Sequence, residues 1–405
     1  MNNISFKPIC ELGKVVTGKT PSTEDESNFS TDFPFITPSD IHTFNEKKLC
    51  GTERGISLSA AKKMAKNILP ADSVCFVCIG STIGKMCMTT TNSFTNQQIN
   101  TLIVNKKNNP HYIFYLLRYI KGYFQLLGSG TGSGKGIVNK STFEKTKIPV
   151  VCDIDIQNRI AEILSAYDDL IENNNRRIAL LEKAAQELYK EWFVRFRFPG
   201  YETAKFENGL PEGWERKKIS AYYNTCSGGT PSRTNEEYYE SGIYPWVKTG
   251  EVKDCIIIDT EEHINEEAVK KSSAKLLPAK SVAMAMYGVN IGQLGYFDGQ
   301  MTCNQACCVF ADKRDFSSKH YLFHYLKSIR EYLLLISFGA AQQNLSQDLI
   351  KKVKIVMPSD DVVCAFEEKL DVIYDSIKAL ILKNQNLTKQ RNLLLPRLMS
   401  GKLEV

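Results

Sequence analysis

Residues 13–20, GKVVTGKT, have the G-x-x-x-x-G-K-[ST] spacing with which a glycine-rich turn cradles nucleotide phosphates. That chemistry needs the turn to open a helix. Here Pro21 and Ser22 follow Thr20 at once, with a polar stretch behind them, and no apolar strand ending in a magnesium-binding acid is placed to partner it. The segment therefore reads as a turn. A second glycine run, GSGTGSGKG at 128–136, has no Ser or Thr after Lys135. It reads either as a flexible loop or as a bare backbone approaching phosphates, helped by Lys135 and Lys140. Cys75 and Cys78 have C-x-x-C spacing, but no second ligand pair stands at zinc-site spacing, so packing is the better reading. Gln342, Gln343 and Asn344 are amides of the kind that can pair bidentately with adenine. There is no [ND]-P-P-[FYW] methyltransferase motif and no G-x-G-x-x-G opening a helix after a strand.

An internal duplication gives these stretches a control. GKTPS (18–22) returns as GGTPS (228–232), an offset of 228 − 18 = 210 residues in a chain of 405. FPFITPSDI (33–41) answers to YPWVKTGEV (244–252), and LPADSVCFVCIGSTIGK (69–85) to LPAKSVAMAMYGVNIGQ (277–293). HYIFYLL (111–117) answers to HYLFHYL (320–326), and an Asn-Gln pair recurs at 96–97 and 304–305. The second copy has Tyr223 and Gly229 for Gly13 and Lys19, and Ala283 and Met286 for Cys75 and Cys78. Neither a phosphate loop nor a metal pair is thus common to both. Shared residues read as the frame of the fold. Matched residues that differ are the better candidates for reading a ligand: Asp40 against Glu251, Thr82 against Asn290, Lys85 against Gln293.

A repeat unit this long is a domain with its own core, not a solenoid repeat. Short β-rich runs such as SVCFVCIG, bounded by Gly and Pro, alternate with helical runs, so each copy reads as a mixed α/β globule of an α+β protein. A long helix follows each copy. Seam residues step by threes and fours through Ile163, Tyr167, Leu170, Asn174, Ile178, Leu181, Ala185, Leu188 and Trp192, and again through Ile373, Ile377, Leu380, Asn384, Leu387, Arg391 and Leu394. That periodicity is a coiled-coil seam, and one asparagine in each seam fixes register at a cost in stability. The expected division is a globule at 1–152, a helix at 153–199, a linker at 200–214, a globule at 215–358 and a helix at 359–405. Two such halves pack most simply about a pseudo-two-fold axis, with the helices as an antiparallel coiled coil and the globules at opposite ends of a rod.

Composition is permissive. Lys and Arg number 51 against 45 Asp and Glu, a net charge of +6, which allows a phosphate-binding face without demanding one. No run of 18 apolar residues suggests a membrane span. The N-terminus lacks a signal pattern, and twelve cysteines without one point to reduced thiols in a cytoplasm.

Over essentially its whole length the sequence resembles the specificity (S) subunits of type I restriction-modification systems, which serve in bacterial defence. The carriers are LTKQRNLLLPRLMSGKLEV (387–405), LLEKAAQELYKEWFVRFRFPG (180–200), LPEGWE (210–215) and the doubled GKTPS/GGTPS. The resemblance implies two tandem target-recognition domains, each followed by a conserved helix, in a chain that is not itself a catalyst. It implies a bipartite double-stranded DNA target, one half per domain, and recruitment of two methyltransferase (M) subunits, joined by restriction (R) subunits. S-adenosylmethionine, ATP and magnesium would then belong to the partners, with no cofactor or metal on this chain. The competing reading is a coiled-coil scaffold presenting two protein-binding globules.

Overall fold

The computed structural model describes residues 4–44, 47–49, 51–129, 136–337 and 344–405. The chain forms two compact units, one of Met1–Asn174 with Lys383–Val405, the other of Asn175–Leu382. Each unit thus takes a stretch from both long helices.

In the first unit, β1 (Gly13–Thr17), β2 (Val74–Val77), β3 (Met86–Met88) and β4 (Ile99–Val104) form an antiparallel sheet in the order β1-β4-β2-β3. Strand β2 is buried at every position. Val74 and Phe76 face a core that includes Tyr112 and Phe124, while Cys75 and Val77 face a second cluster with Ile36 and Ile41. Burial on both faces explains why this strand reads as an unbroken apolar run. Helices α1 (Pro110–Tyr119) and α2 (Lys121–Ser129) supply the first core. Asn109 caps α1, accepting from the His111 and Tyr112 amides, and Pro110 occupies the first helical position. Ile4–Pro8 pairs antiparallel with Lys147–Val151, so the globule closes on itself just before α3 (Ile154–Tyr189). One π-type turn, Lys190–Val194, extends that helix.

In the second unit the sheet gains a fifth strand. Strands β5 (Tyr223–Ser227), β6 (Cys255–Ile257), β7 (Val282–Ala285), β8 (Leu294–Phe297) and β9 (Cys307–Asp312) lie in the order β5-β9-β7-β8-β6, with β6 parallel to β8. In the first unit a single bridge between Lys48 and Met88 stands at the matching place. Helices α4 (Lys319–Ser328) and α5 (Arg330–Ser337) follow, then a closing pair of Glu215–Lys218 with Lys354–Met357, then α6 (Asp360–Met399). The expected linker at 200–214 is folded. Asn208 and Gly209, both at positive φ (51° and 78°), turn a short hairpin. Trp214 then buries against Phe193, Phe196 and Phe198. These aromatics, and Trp192 against Phe366 with ring centroids 5.6 Å apart, are packed inside the unit. Trp192 is therefore a core residue, packed against the other long helix.

Within the first unit the start of α3 packs against the end of α6, antiparallel. The Asp168 carboxylate accepts from Arg391, and Asn174 donates from Nδ2 to Asn384 Oδ1 at 2.8 Å. Ile160, Leu164, Leu395 and Leu398 are buried between these layers and the globule, with Ile163 and Leu394 packed at their edge. In the second unit Leu181, Leu188 and Ile373 lie at the edge of the core formed with Ala185, Leu370 and Ile377; Leu380 is buried. Leu387 is half-buried. The expected seam fails at Leu170, which is 45% exposed. The inward position there belongs to Asp168. Its carboxylate also accepts from the Tyr115 hydroxyl at 2.6 Å and lies 3.7 Å from Arg118, itself buried. Burial, then the neighbouring Arg391, brings the Arg118 guanidinium down to about 10. An apolar pattern cannot register a buried ion cluster.

The long helices also grip their globules at matched positions. Gln157 Oε1 accepts the Asn109 amide at 2.8 Å, and Glu367, 367 − 157 = 210 residues on, accepts the Tyr321 amide at 2.8 Å and the His320 amide at 3.2 Å. Burial raises Glu367 to about 8 and lowers His320 and His324 to about 4 and about 3.

Two outcomes follow from these buried charges. Asp168→Ala leaves two guanidinium groups in a buried site without their counter-charge, and should cost about 3–5 kcal/mol in chemical denaturation of the full chain. Glu367 holds its proton in the folded chain up to about 8 but releases it near 4.5 when unfolded, so it erodes stability as pH rises through that window. The two histidines, neutral when folded, act in the opposite direction below 6.5. Glu367→Gln keeps an acceptor and removes the opposing titration. Between pH 4.5 and 6.5 its stability should climb with pH more steeply than wild type by about one proton, roughly 1.4 kcal/mol per pH unit.

Candidate nucleic-acid interface

The two motifs repeated most plainly, G-x-T-P-S and Asn-Gln, are partners of each other. Lys19 donates its amide to Thr95 O at 2.9 Å, and Gly229 donates to Cys303 O at 2.9 Å. Thr20 Oγ1 donates to Gln97 Oε1 at 2.7 Å, and Thr230 Oγ1 to Gln305 Oε1 at 2.5 Å. Asn96 and Asn304 accept the amide two residues on, each at 3.1 Å, which shapes the turn. The recurring Asn-Gln pair therefore serves the fold. Glycine is required because a methyl on Gly18 would overlap the Asn96 carbonyl oxygen, and one on Gly228 that of Cys303. The phosphate-loop spacing dissolves as well, since Gly13–Thr17 is strand β1 in register with β4. Cys75 and Cys78 face different apolar clusters and do not converge. Burial pushes the Cys78 thiol up to about 12. Among the described residues no group of three or more His, Cys, Asp or Glu is placed to hold a metal ion.

Three turns converge at one end of each sheet. In the first unit, Lys85, just past the turn Gly80–Gly84, donates from Nζ to Ile41 O at 2.8 Å, tying it to the turn at 37–41. The Gly80 amide bonds Gly136 O at 2.8 Å and the Val138 amide bonds Cys78 O at 2.9 Å, which brings in the segment leading to Lys140. In the second unit Asn290 Nδ2 donates to Thr249 O at 2.9 Å, and the Leu345 amide donates to Met286 O at 2.9 Å. The same cluster is thus built twice, with different side chains making the ties.

Most residues chosen by sequence lie in these clusters. Thr82 and Asn290 sit in the matched turns, half-buried, with Lys85 and Gln293 just after them. Lys140 is exposed at the start of a short helix, 3.5 Å from Glu144. Asn344 is exposed beside Leu345. Lys135, Gln342 and Gln343 lie outside the described residues. Asp40 and Glu251 have a different job from the one their divergence suggested. Asp40 accepts the Thr37 amide and the Glu53 amide, each at 2.8 Å. Glu251 accepts the Lys248 amide at 2.8 Å and the Glu261 amide at 2.9 Å. Both carboxylates are consumed in clasping a loop, so they shape the site and do not offer themselves to a ligand. What remains outward is a set of exposed turns with amide, hydroxyl and ammonium groups, suited to recognition by hydrogen bonding and charge.

The chain is thus a duplicated α+β domain with one such cluster of turns per copy. Residues 1–183 and 211–397 each match the type I restriction modification DNA specificity domain, and the chain belongs to that family, as its non-catalytic specificity component. It is 27% identical to the type I restriction enzyme MjaIX specificity subunit of Methanocaldococcus jannaschii, over 98% of this chain and 93% of that one. It is 26% identical to the HindI specificity subunit of Haemophilus influenzae, over 73% of this chain and 77% of the relative. The crystal structure of a type I restriction-modification S subunit from M. genitalium has the same fold, with a TM-score of 0.60 at 15% identity, covering 98% of this chain and 96% of that one.

The docking of the repeated motifs has a direct test. Gly228→Ala should cost about 1–3 kcal/mol through overlap with the Cys303 carbonyl. Gly250→Ala, where an added methyl meets nothing within 4 Å, should stay within about 0.5 kcal/mol of wild type. Thermal and urea denaturation would separate the two.

Proposed function

We propose that this chain reads a split, asymmetric DNA sequence, one half with each turn cluster, and carries methyltransferase and restriction subunits to it. The observation that carries the reading is the pair of matched clusters with a common frame and unlike outward side chains. A symmetric dimer reads a palindrome, whereas a diverged tandem reads two different half-sites. Contacts to phosphates by lysines such as Lys140 supply affinity, and contacts to base edges supply specificity. Leu170 and Leu393 in the first unit, and Leu180, Val372 and Leu382 in the second, are apolar and exposed on the long helices. These side chains are the candidates for contact with two methyltransferase subunits. S-adenosylmethionine, ATP and magnesium would be held by those partners. The chain's place of work in this proposal is the cytoplasm, where the DNA lies; among the described residues no helix is long and apolar enough to cross a membrane.

Base-resolution mapping of adenine methylation in the source cell, with and without this chain, tests the reading. A split motif with a fixed gap should vanish on deletion. Binding of the assembled complex to that motif should weaken by about 10³-fold between 50 and 200 mM salt if six or more phosphates are gripped. A chain that leaves the map unchanged and shows no salt-dependent binding acts as a scaffold instead.

A further inference from the structure

The matched turns Gly80–Gly84 (GSTIG) and Gly288–Gly292 (GVNIG) have one construction. All four glycines have positive φ: 61° and 89° in the first, 85° and 76° in the second. Three of their backbone bonds correspond. The Ile83 amide reaches Gly80 O and the Ile291 amide Gly288 O; Gly84 reaches Val77 O and Gly292 reaches Ala285 O; Lys85 reaches Thr82 O and Gln293 reaches Asn290 O. Ile83 is buried, and Ile291 packs on the main core of its unit. From behind, Gln125 on α2 donates to Ile83 O at 3.0 Å, and Arg330 on α5 donates from Nε to Gly292 O at 2.8 Å. Thr82 turns its hydroxyl inward to Ile79 O at 2.8 Å, and Asn290 turns its amide nitrogen inward to Thr249 O. One side chain per turn is left standing outside, Ser81 in the first and Val289 in the second. Val289 is 99% exposed.

Val289 stands bare at the tip of a turn braced on either side of it: the Gly288, Asn290 and Gly292 carbonyls and the Ile291, Gly292 and Gln293 amides are all bonded, so the side chain is held outside. From this geometry we infer that Val289 is a specificity-determining residue that packs on the C5-methyl of a thymine in the half-site read by the second domain. The inference rests on the DNA-reading function proposed above. Valine has no donor or acceptor, so the feature of a base edge it can recognise is that methyl, which the major groove presents. The matched Ser81 carries a hydroxyl that bonds to either kind of base edge, so the two domains differ in chemistry at the same braced position.

The test uses the full chain assembled with its methyltransferase partners and the duplex motif given by the methylation map. Each thymine is replaced in turn by uracil, which removes only the methyl. One replacement in the second domain's half should weaken wild-type binding about fourfold, the worth of one buried methyl, and should leave Val289→Ala unaffected. Val289→Ser should relax methylation at that same base pair and leave the other half-site unchanged. The assignment is overturned if that half contains no thymine, if no methyl there is felt, or if Val289→Ala senses its loss as strongly as wild type. Absence of any split motif that depends on the chain would sink the proposed function itself, a different result. Val289 makes no packing contact that its loss would disturb, so the variants should fold as wild type.

Discussion

Asn174 meets Asn384 across the helices, and the two are the same residue of the repeat, 384 − 174 = 210 positions apart. A contact between a residue and its own counterpart forms only where two copies of a helix approach each other self-complementarily. It also fixes register. Asn174 is buried, and sliding the helices would set its amide against an apolar neighbour and leave a buried polar group without a bond, a cost of about 1–3 kcal/mol. Asp168 with Arg391 makes the same demand more strongly, since the groups involved are charged. Apolar residues make these helices adhere, and the polar layers decide how they are aligned.

Neither half of the sequence completes its own core. Leu395, Leu398 and Met399, at the far end of the chain, are buried with Tyr112 and Ile160 in the first unit. Ala185, Tyr189 and Trp192, from the helix that follows the first globule, are buried with Tyr321 and Phe366 in the second. Gln157 and Glu367 then bond the long helices to the first turns of α1 and α4, which pack on the sheets that bear the turns. Within each unit the turn cluster, the globule and the long helices are joined by named contacts.

Duplication, the closed globules and the two long helices are all legible in the sequence, because each leaves a period or a repeated string. Thr82, Lys85, Asn290 and Gln293, singled out by their divergence, fall in or beside the matched turns for which a reading function is proposed. Leu170 was misplaced because apolar periodicity is blind to a buried carboxylate, and Asp168 takes the inward position. The binding of G-x-T-P-S to Asn-Gln escaped for another reason: both motifs were visible, but the hydrogen bond joining Thr20 to Gln97 spans 77 residues, and nothing in a string shows which two repeated motifs face each other. Glu367 and Gln157 likewise look like surface polar residues until the amides they accept are known.

Divergence between matched positions turns out to be an imperfect sign of recognition. Asp40 and Glu251 differ, yet each clasps the amide three residues before it and a second amide from the loop beyond. The extra methylene of the glutamate is absorbed by a different loop path, and the role is unchanged. Lys85 and Asn290 also differ in type and position, yet each ties its turn to the neighbouring one. A substitution that preserves a brace tells nothing about the ligand. The discriminating question is whether the side chain's polar atoms, or its apolar surface, are already satisfied inside the domain. Where they are, divergence is drift within a structural role. Where they are not, and the backbone beneath is braced, the exposed group is the better candidate for contact with a ligand.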